Sequence, residues 1–317
     1  MPCMFAYAAA GSRVQFFAVT SRDGAVEATP VSDCLHIDTP LGRIKVVHHT
    51  LKVLQAVAAY APSAPHLPIA LGQVSTALTL NGSFLSSVTV FPDFIRKRVN
   101  LSQLQGGVLD HRALVAMYRA IGHVRCLNLV RLRGDGGVSL QDDGTTVLHL
   151  EPLGLPLGLT GGPAVESEGS LRDAVRGVLT ALVVLHEAGY VHRDVRWPNV
   201  IRLPAVAAAA AAAASSSSDV YVLIDLEHAA PADCPLDCRR PPYRLPTWPG
   251  SRILDPATGR FTCESDLCLV AEALIAHLPF TLSDSGQHLR EQLATRKLPT
   301  ARAALEHAWL QLAAASP

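Results

Sequence analysis

Tyr190 to Asn199 reads YVHRDVRWPN, and Val220 to Glu227 reads VYVLIDLE. The first stretch is a loop that sets Asp194 and Asn199 five residues apart, and the second is an apolar strand ending on a further acid, Asp225. Carboxylates and a carboxamide are hard oxygen donors, the type that suits Mg²⁺. Together the three groups could hold such a cation and orient a hydroxyl beside it. The segment just upstream predicts a helix over Leu171 to His186. Leu171, Val175, Val178, Leu179, Leu182 and Leu185 share its apolar face, Ser170 and Asp173 have the spacing of a capping box, and Gly189 can end it at positive φ.

Composition sets the frame. The chain has 317 residues and 49% hydrophobic content, enough for a sizeable core. Lys+Arg and Asp+Glu are both 27, so there is no net basic field to attract nucleic acid or an anionic membrane. Seven cysteines fit reduced thiols better than a disulfide framework. Cys234 with Cys238 and Cys263 with Cys268 are spaced more loosely than a CxxC knuckle, which disfavours zinc. No apolar run reaches the ~18 residues of a membrane span, and the N-terminus lacks a basic start. A soluble, cytoplasmic monomer is expected.

Three parts are legible. Residues 1–65 begin irregularly and then give one amphipathic helix at 44–60, with Ile44, Val47, Leu51, Leu54 and Ala58 on one face, expected to pack on the next domain. Residues 66–152 are strand-rich: SSVTV (86–90) and FIRKRV (94–99) flank a Phe-Pro-Asp turn, a helical stretch covers 109–124 with Asp110 as its N-cap, and TTVLHLEPLG (145–154) runs from strand to turn. Residues 153–312 are mainly helical. An Ala/Ser low-complexity stretch at 205–218 reads as an insertion in a surface hairpin.

HRDVRWPN resembles the HRDxxxxN catalytic loop of the protein kinase superfamily, and VYVLIDLE resembles its metal-binding DFG strand. LPTARAALEHAWL (298–310) is similar to the last large-lobe helix of that superfamily, and Ser265-Asp266-Leu267 to the start of its central helix, whose Asp braces the catalytic loop. The resemblance covers about residues 66–312. It implies an α+β, bilobal protein kinase-like fold, with a small β-rich N-lobe and a larger helical C-lobe. It further implies Asp194 as the catalytic carboxylate and Arg196 near the transferred phosphate. Asn199 and Asp225 would ligate Mg²⁺, and Lys97 would be the cation on the ATP phosphates. The backbones of Glu151 and Leu153 would meet the adenine, while His192 and Arg193 would brace the loop.

The chain also departs from that pattern. No GxGxxG precedes Lys97, no Glu lies between Lys97 and Glu151, and DFG becomes Asp225-Leu226-Glu227. Glu227 is therefore expected either to partner Lys97 or to bind metal. The APE motif is missing, and Leu298 stands where the arginine pairing with it would be. The function implied is phosphate transfer from MgATP to protein Ser/Thr hydroxyls. The alternatives are a pseudokinase binding or scaffolding module, and a small-molecule kinase of the aminoglycoside or choline phosphotransferase type.

Overall fold

Phe84 to Val99 folds into an antiparallel hairpin in which Val88 lies opposite Lys97, β6 (Phe84–Val90) pairing with β7 (Ile95–Val99). The hairpin belongs to a computed structural model that describes residues 3–22, 25–60, 74–91, 93–134, 136–157, 164–203, 219–234, 238 and 244–312. The chain divides into two units, Met1–His66 and Leu67–Pro317.

In the second unit, β5 (Val74–Leu78) adds to β6. On the other side β7 pairs with β10 (Thr146–Glu151), which also takes β8 (Arg131–Leu132) and β9 (Val138–Leu140). The sheet order is β5-β6-β7-β10-β8. α2 (His111–Gly122) follows β7, and the Asp110 side chain caps it by accepting the Ala113 amide at 2.8 Å. Leu114, Met117, Tyr118 and Ile121, spaced at three and four residues, are its buried stripe.

The helical part begins with α3 (Glu168–Glu187). Its predicted apolar face is completely buried, and Gly189 follows it at φ +83. Its N-cap is Ser167, three residues before the position that the capping-box spacing predicts. Ser170 lies inside the helix and Asp173 pairs instead with Arg176 at 2.6 Å. Gly177 lets α3 approach β14 (Val220–Leu223) closely, because a Cβ there would lie 2.8 Å from the Tyr221 carbonyl oxygen. β14 pairs with β13 (Val200–Leu203), and β13 with β11 (Leu155–Pro156). β12 (Tyr190–Val191) pairs with β15 (Ala230–Pro231). α4 (Cys263–Leu269) continues into a π-helical stretch over Val270–Ile275, followed by α5 (Asp284–Ala294), α6 (Ala301–Leu305) and α7 (Ala308–Gln311). Trp309, fully buried, anchors the end by donating to Glu168 Oε1 at 2.6 Å under the Arg172 guanidinium. The expected α+β class, β-rich first and helical after, is the one observed. The Ala/Ser stretch lies outside the described residues.

The first unit differs from its expected form. Its opening residues are not irregular: β1 (Cys3–Ala10), β2 (Arg13–Arg22) and β3 (Ala25–Pro30) form an antiparallel meander, with β4 (Leu35–His36) also pairing β2. α1 (Pro40–Tyr60) follows. Within this unit α1 packs through Val46 and Val53 against Val14, Phe16 and Leu35. Ile44, Val47, Leu51 and Leu54 are exposed. Ala58's side chain lies outside the described residues. The sequence carries two apolar stripes on one helix, and the sheet beneath selects the less obvious one.

Candidate active site

Asp194 sits in the loop between β12 and β13, where the backbone must turn sharply. Arg193 takes φ +72, a left-handed conformation that costs a non-glycine residue about 1 kcal/mol or more. The turn is held from α4. Asp266, fully buried, accepts the His192 amide at 2.8 Å and the Arg193 amide at 2.9 Å, while its Oδ2 also meets His186 Nε2 at 2.9 Å. Burial alone would lower the His186 pKa, but hydrogen bonds and charge from Asp266 and Cys263 outweigh it and raise the group to about 9. The Arg193 guanidinium donates to the carbonyls of Gly106 (2.8 Å) and His228 (3.2 Å), and the Trp248 indole donates to the Arg193 carbonyl at 2.6 Å. His192 and Arg193 are thus placed as braces.

The Asp194 carboxylate is 3% exposed and accepts from three sides. Arg196 Nε reaches Oδ2 at 3.0 Å and Asn199 Nδ2 reaches the same oxygen at 2.8 Å, while the Thr247 hydroxyl donates to Oδ1 at 2.7 Å. Asn199 Nδ2 also donates to the Asp194 carbonyl at 2.8 Å. The loop is tied to the residue that follows β14. The Ile224 amide donates to the Asn199 carbonyl at 2.9 Å, and His192 Nε2 donates to the Ile224 carbonyl at 3.0 Å. His192 Nδ1 accepts the Asp194 amide at 3.2 Å, so the Nε2–H tautomer satisfies both contacts.

Asp225 comes next, at φ +72. Its Oδ1 pairs with Lys97 Nζ, and Glu227 Oε2 lies 2.9 Å from the same ammonium. Burial alone would lower the Lys97 pKa, yet the charges of Asp225 and Glu227 hold it above its ordinary value. Burial opposes ionisation of Asp225 as well, and Lys97 overrides it, leaving the group far below the usual carboxylate range. Burial pushes the Glu227 carboxyl up from its ordinary value, with Lys97 opposing and Asp225 adding to the shift. On α2, Tyr118 is 3% exposed and its hydroxyl has no hydrogen-bond partner among the described residues. Burial, then Glu227 and Asp225, raise its pKa well above that of a free phenol.

The fold therefore brings Asp194, Arg196 and Asn199 together on one loop, and Lys97, Asp225 and Glu227 together beside it. Glu151 ends β10, and Leu153 lies in the turn from there into β11. The Glu151 carboxylate is taken by Arg131 Nε at 2.7 Å, and the Glu151 backbone lies opposite Arg131 in the β8–β10 ladder. A groove of about 750 Å³ lined by Ile121, Cys126, Val130, Arg131 and Glu151 borders this turn, and Asp194, Asn199, Asp225 and Lys97 are not part of its wall.

Sequence reasoning missed Tyr118 and the contact of Thr247 with Asp194. Tyr118 reads as ordinary core in a helical stripe. The available signal was a polar-tipped residue buried in a helix that has no acid of its own. The described residues contain no cluster of three or more His, Cys, Asp or Glu side chains placed to hold a metal, and no helix long and apolar enough to cross a membrane. Cys234, Cys238, Cys263 and Cys268 form no disulfide among the described residues.

No protein-family model matches the chain, and no curated protein matches it. Among solved structures, the crystal structure of Rad53 kinase domain and SCD2 is similar to it, with a TM-score of 0.46 and 16% sequence identity. The alignment covers 76% of this chain and 88% of that one.

Proposed function

We propose that the second unit is an ATP-dependent phosphotransferase of kinase-like fold that transfers the γ-phosphate of MgATP to protein Ser or Thr hydroxyls. The observation that supports this reading most is the linkage of the two clusters. The Asn199 carbonyl and the His192 ring both bond to Ile224, so the loop bearing Asp194 is registered against the strand end bearing Asp225. A hydroxyl nucleophile, a divalent cation and a phosphate-binding ammonium have to be held in such a fixed relation.

Asn199 and Asp225 are oxygen donors of the kind Mg²⁺ takes, and the Asp225 carboxylate stays ionised, so the residues present fit the ion. When bound, Mg²⁺ neutralises phosphate charge. The protein's own groups do the rest. Asp194 orients the incoming hydroxyl and takes its proton as the oxygen attacks the γ-phosphorus. The bond from that phosphorus to the β–γ bridging oxygen breaks, and ADP leaves. Arg196 and Lys97 hold phosphate oxygens, and the backbones of Glu151 and Leu153 meet the adenine.

A second reading, a binding module without transfer, draws on one observation: Lys97 is engaged by two carboxylates, and no glycine-rich loop stands at the β5–β6 turn, where Gly82 is the sole glycine. Calorimetric titration with ATP, with and without Mg²⁺, tests the nucleotide site. Wild type is expected to bind in a Mg²⁺-dependent manner, and Asp225→Asn to weaken binding about tenfold or more. Equal affinity with and without the cation would contradict the assignment.

A further inference from the structure

Lys97 needs a partner that remains when the nucleotide arrives. Its Nζ now meets Asp225 and Glu227 together. Asp225 would hold the cation in the proposed reaction, which would leave Glu227 beside the ammonium. Glu227 is suited to stay there, because its side chain is 2% exposed and it sits on the short turn Leu226–His228, directly after Asp225. An ammonium has three donors, so one can turn to Glu227 while the others reach phosphate oxygens.

The helix beside β7 supplies nothing comparable. α2, His111 to Gly122, contains no Asp or Glu. Tyr118, buried on the same helix, has a hydroxyl with no hydrogen-bond partner among the described residues.

Resting on the function proposed above, we infer that Glu227 is the positioning residue that aims Lys97 at the phosphates. The lysine's partner and the metal's ligand then share one three-residue segment. Assembly of the site needs no movement of α2, and a signal acting through that helix has no carboxylate to insert or withdraw.

The test uses the full chain and two readouts. The first is transfer from γ-labelled ATP, with Asp194→Ala as the control that validates the underlying reaction. Glu227→Gln keeps the shape and removes the charge, and is expected to lower kcat/KM about a hundredfold. Glu227→Asp is expected to lie between Glu227→Gln and wild type.

The second readout does not need activity. Acylation by an N-hydroxysuccinimide ester is followed residue by residue at Lys45, Lys52, Lys97 and Lys297, the four lysines of the chain. Lys97 is expected to be the slowest and to accelerate severalfold in Glu227→Gln. The inference is overturned by an unchanged Lys97 rate in Glu227→Gln, whatever transfer does. It is also overturned by a Glu227→Gln enzyme with full kcat/KM. Absence of transfer in wild type, together with the expected labelling pattern, defeats the phosphotransferase reading and leaves the pairing of Glu227 with Lys97 standing.

Discussion

Asp266 holds the amide of Arg193 at 2.9 Å while Arg193 itself is bent to φ +72. The contact joins the start of α4 to the loop that carries Asp194. Since Asp266 is fully buried and also takes the His192 amide, one side chain satisfies two interior donors and holds a strained backbone in place. Asp266→Ala would leave both amides without an acceptor, at a cost of roughly 2–5 kcal/mol. Thermal unfolding is expected to show a drop of that order, with hydrogen exchange at residues 192–194 rising more than in α3. Uniform exchange throughout would contradict the local role.

His186 makes stability depend on pH. Its pKa in the folded chain, about 9, lies above the ordinary 6.5, so the folded state binds that proton more tightly than the unfolded one. Its contribution is full below 6.5 and is lost as pH rises through 9. The loss is on the order of 3 kcal/mol across that window. Urea melts of wild type and His186→Asn at pH 6.5 and 9 are expected to differ much more at the lower pH. A constant difference would show that the imidazole keeps one charge state throughout.

Gly177 permits α3 to lie against β14. An alanine there would push into the Tyr221 carbonyl oxygen at 2.8 Å and the Asn128 side-chain nitrogen at 3.0 Å. Despite alanine's better helix propensity, Gly177→Ala is expected to destabilise by about 1–3 kcal/mol, read from chemical denaturation. An unchanged or higher midpoint would mean that the helix and strand can separate freely.

Trp309 is the fully buried anchor of the C-terminal helices. Trp309→Ala removes its volume and leaves Glu168 Oε1 without the indole donor, so a loss of about 3–5 kcal/mol is expected in the same measurement. Trp309→Phe should recover most of the packing and not the hydrogen bond, and so fall between the two.

The sequence revealed those parts whose chemistry allows few alternatives. The long apolar face of α3, the Asp110 cap and the strand bearing Lys97 can each be placed from pattern alone, because burial at helical or two-residue spacing has one solution there. The meander of the first unit cannot. CMFAYAAA is largely alanine, which has low strand preference, and RVQFFAVTSR breaks alternation at its adjacent phenylalanines. α1 offers two apolar stripes, and only the position of Val14, Phe16 and Leu35 decides between them. At the site, the lack of an acid in the helix after Lys97 is what points to Glu227 as a partner for that lysine or for a metal. Tyr118 stays hidden because a tyrosine in a hydrophobic stripe reads as ordinary core.

Phosphate transfer is the most direct test of the central claim. Wild type, Asp194→Ala and Asp225→Ala are incubated with γ-labelled ATP, Mg²⁺ and a generic Ser/Thr-containing protein substrate, and labelled protein is counted. Labelling by wild type that disappears in both variants is the predicted result. Labelling that persists undiminished in Asp194→Ala, or that is absent from wild type while MgATP is bound, would contradict it.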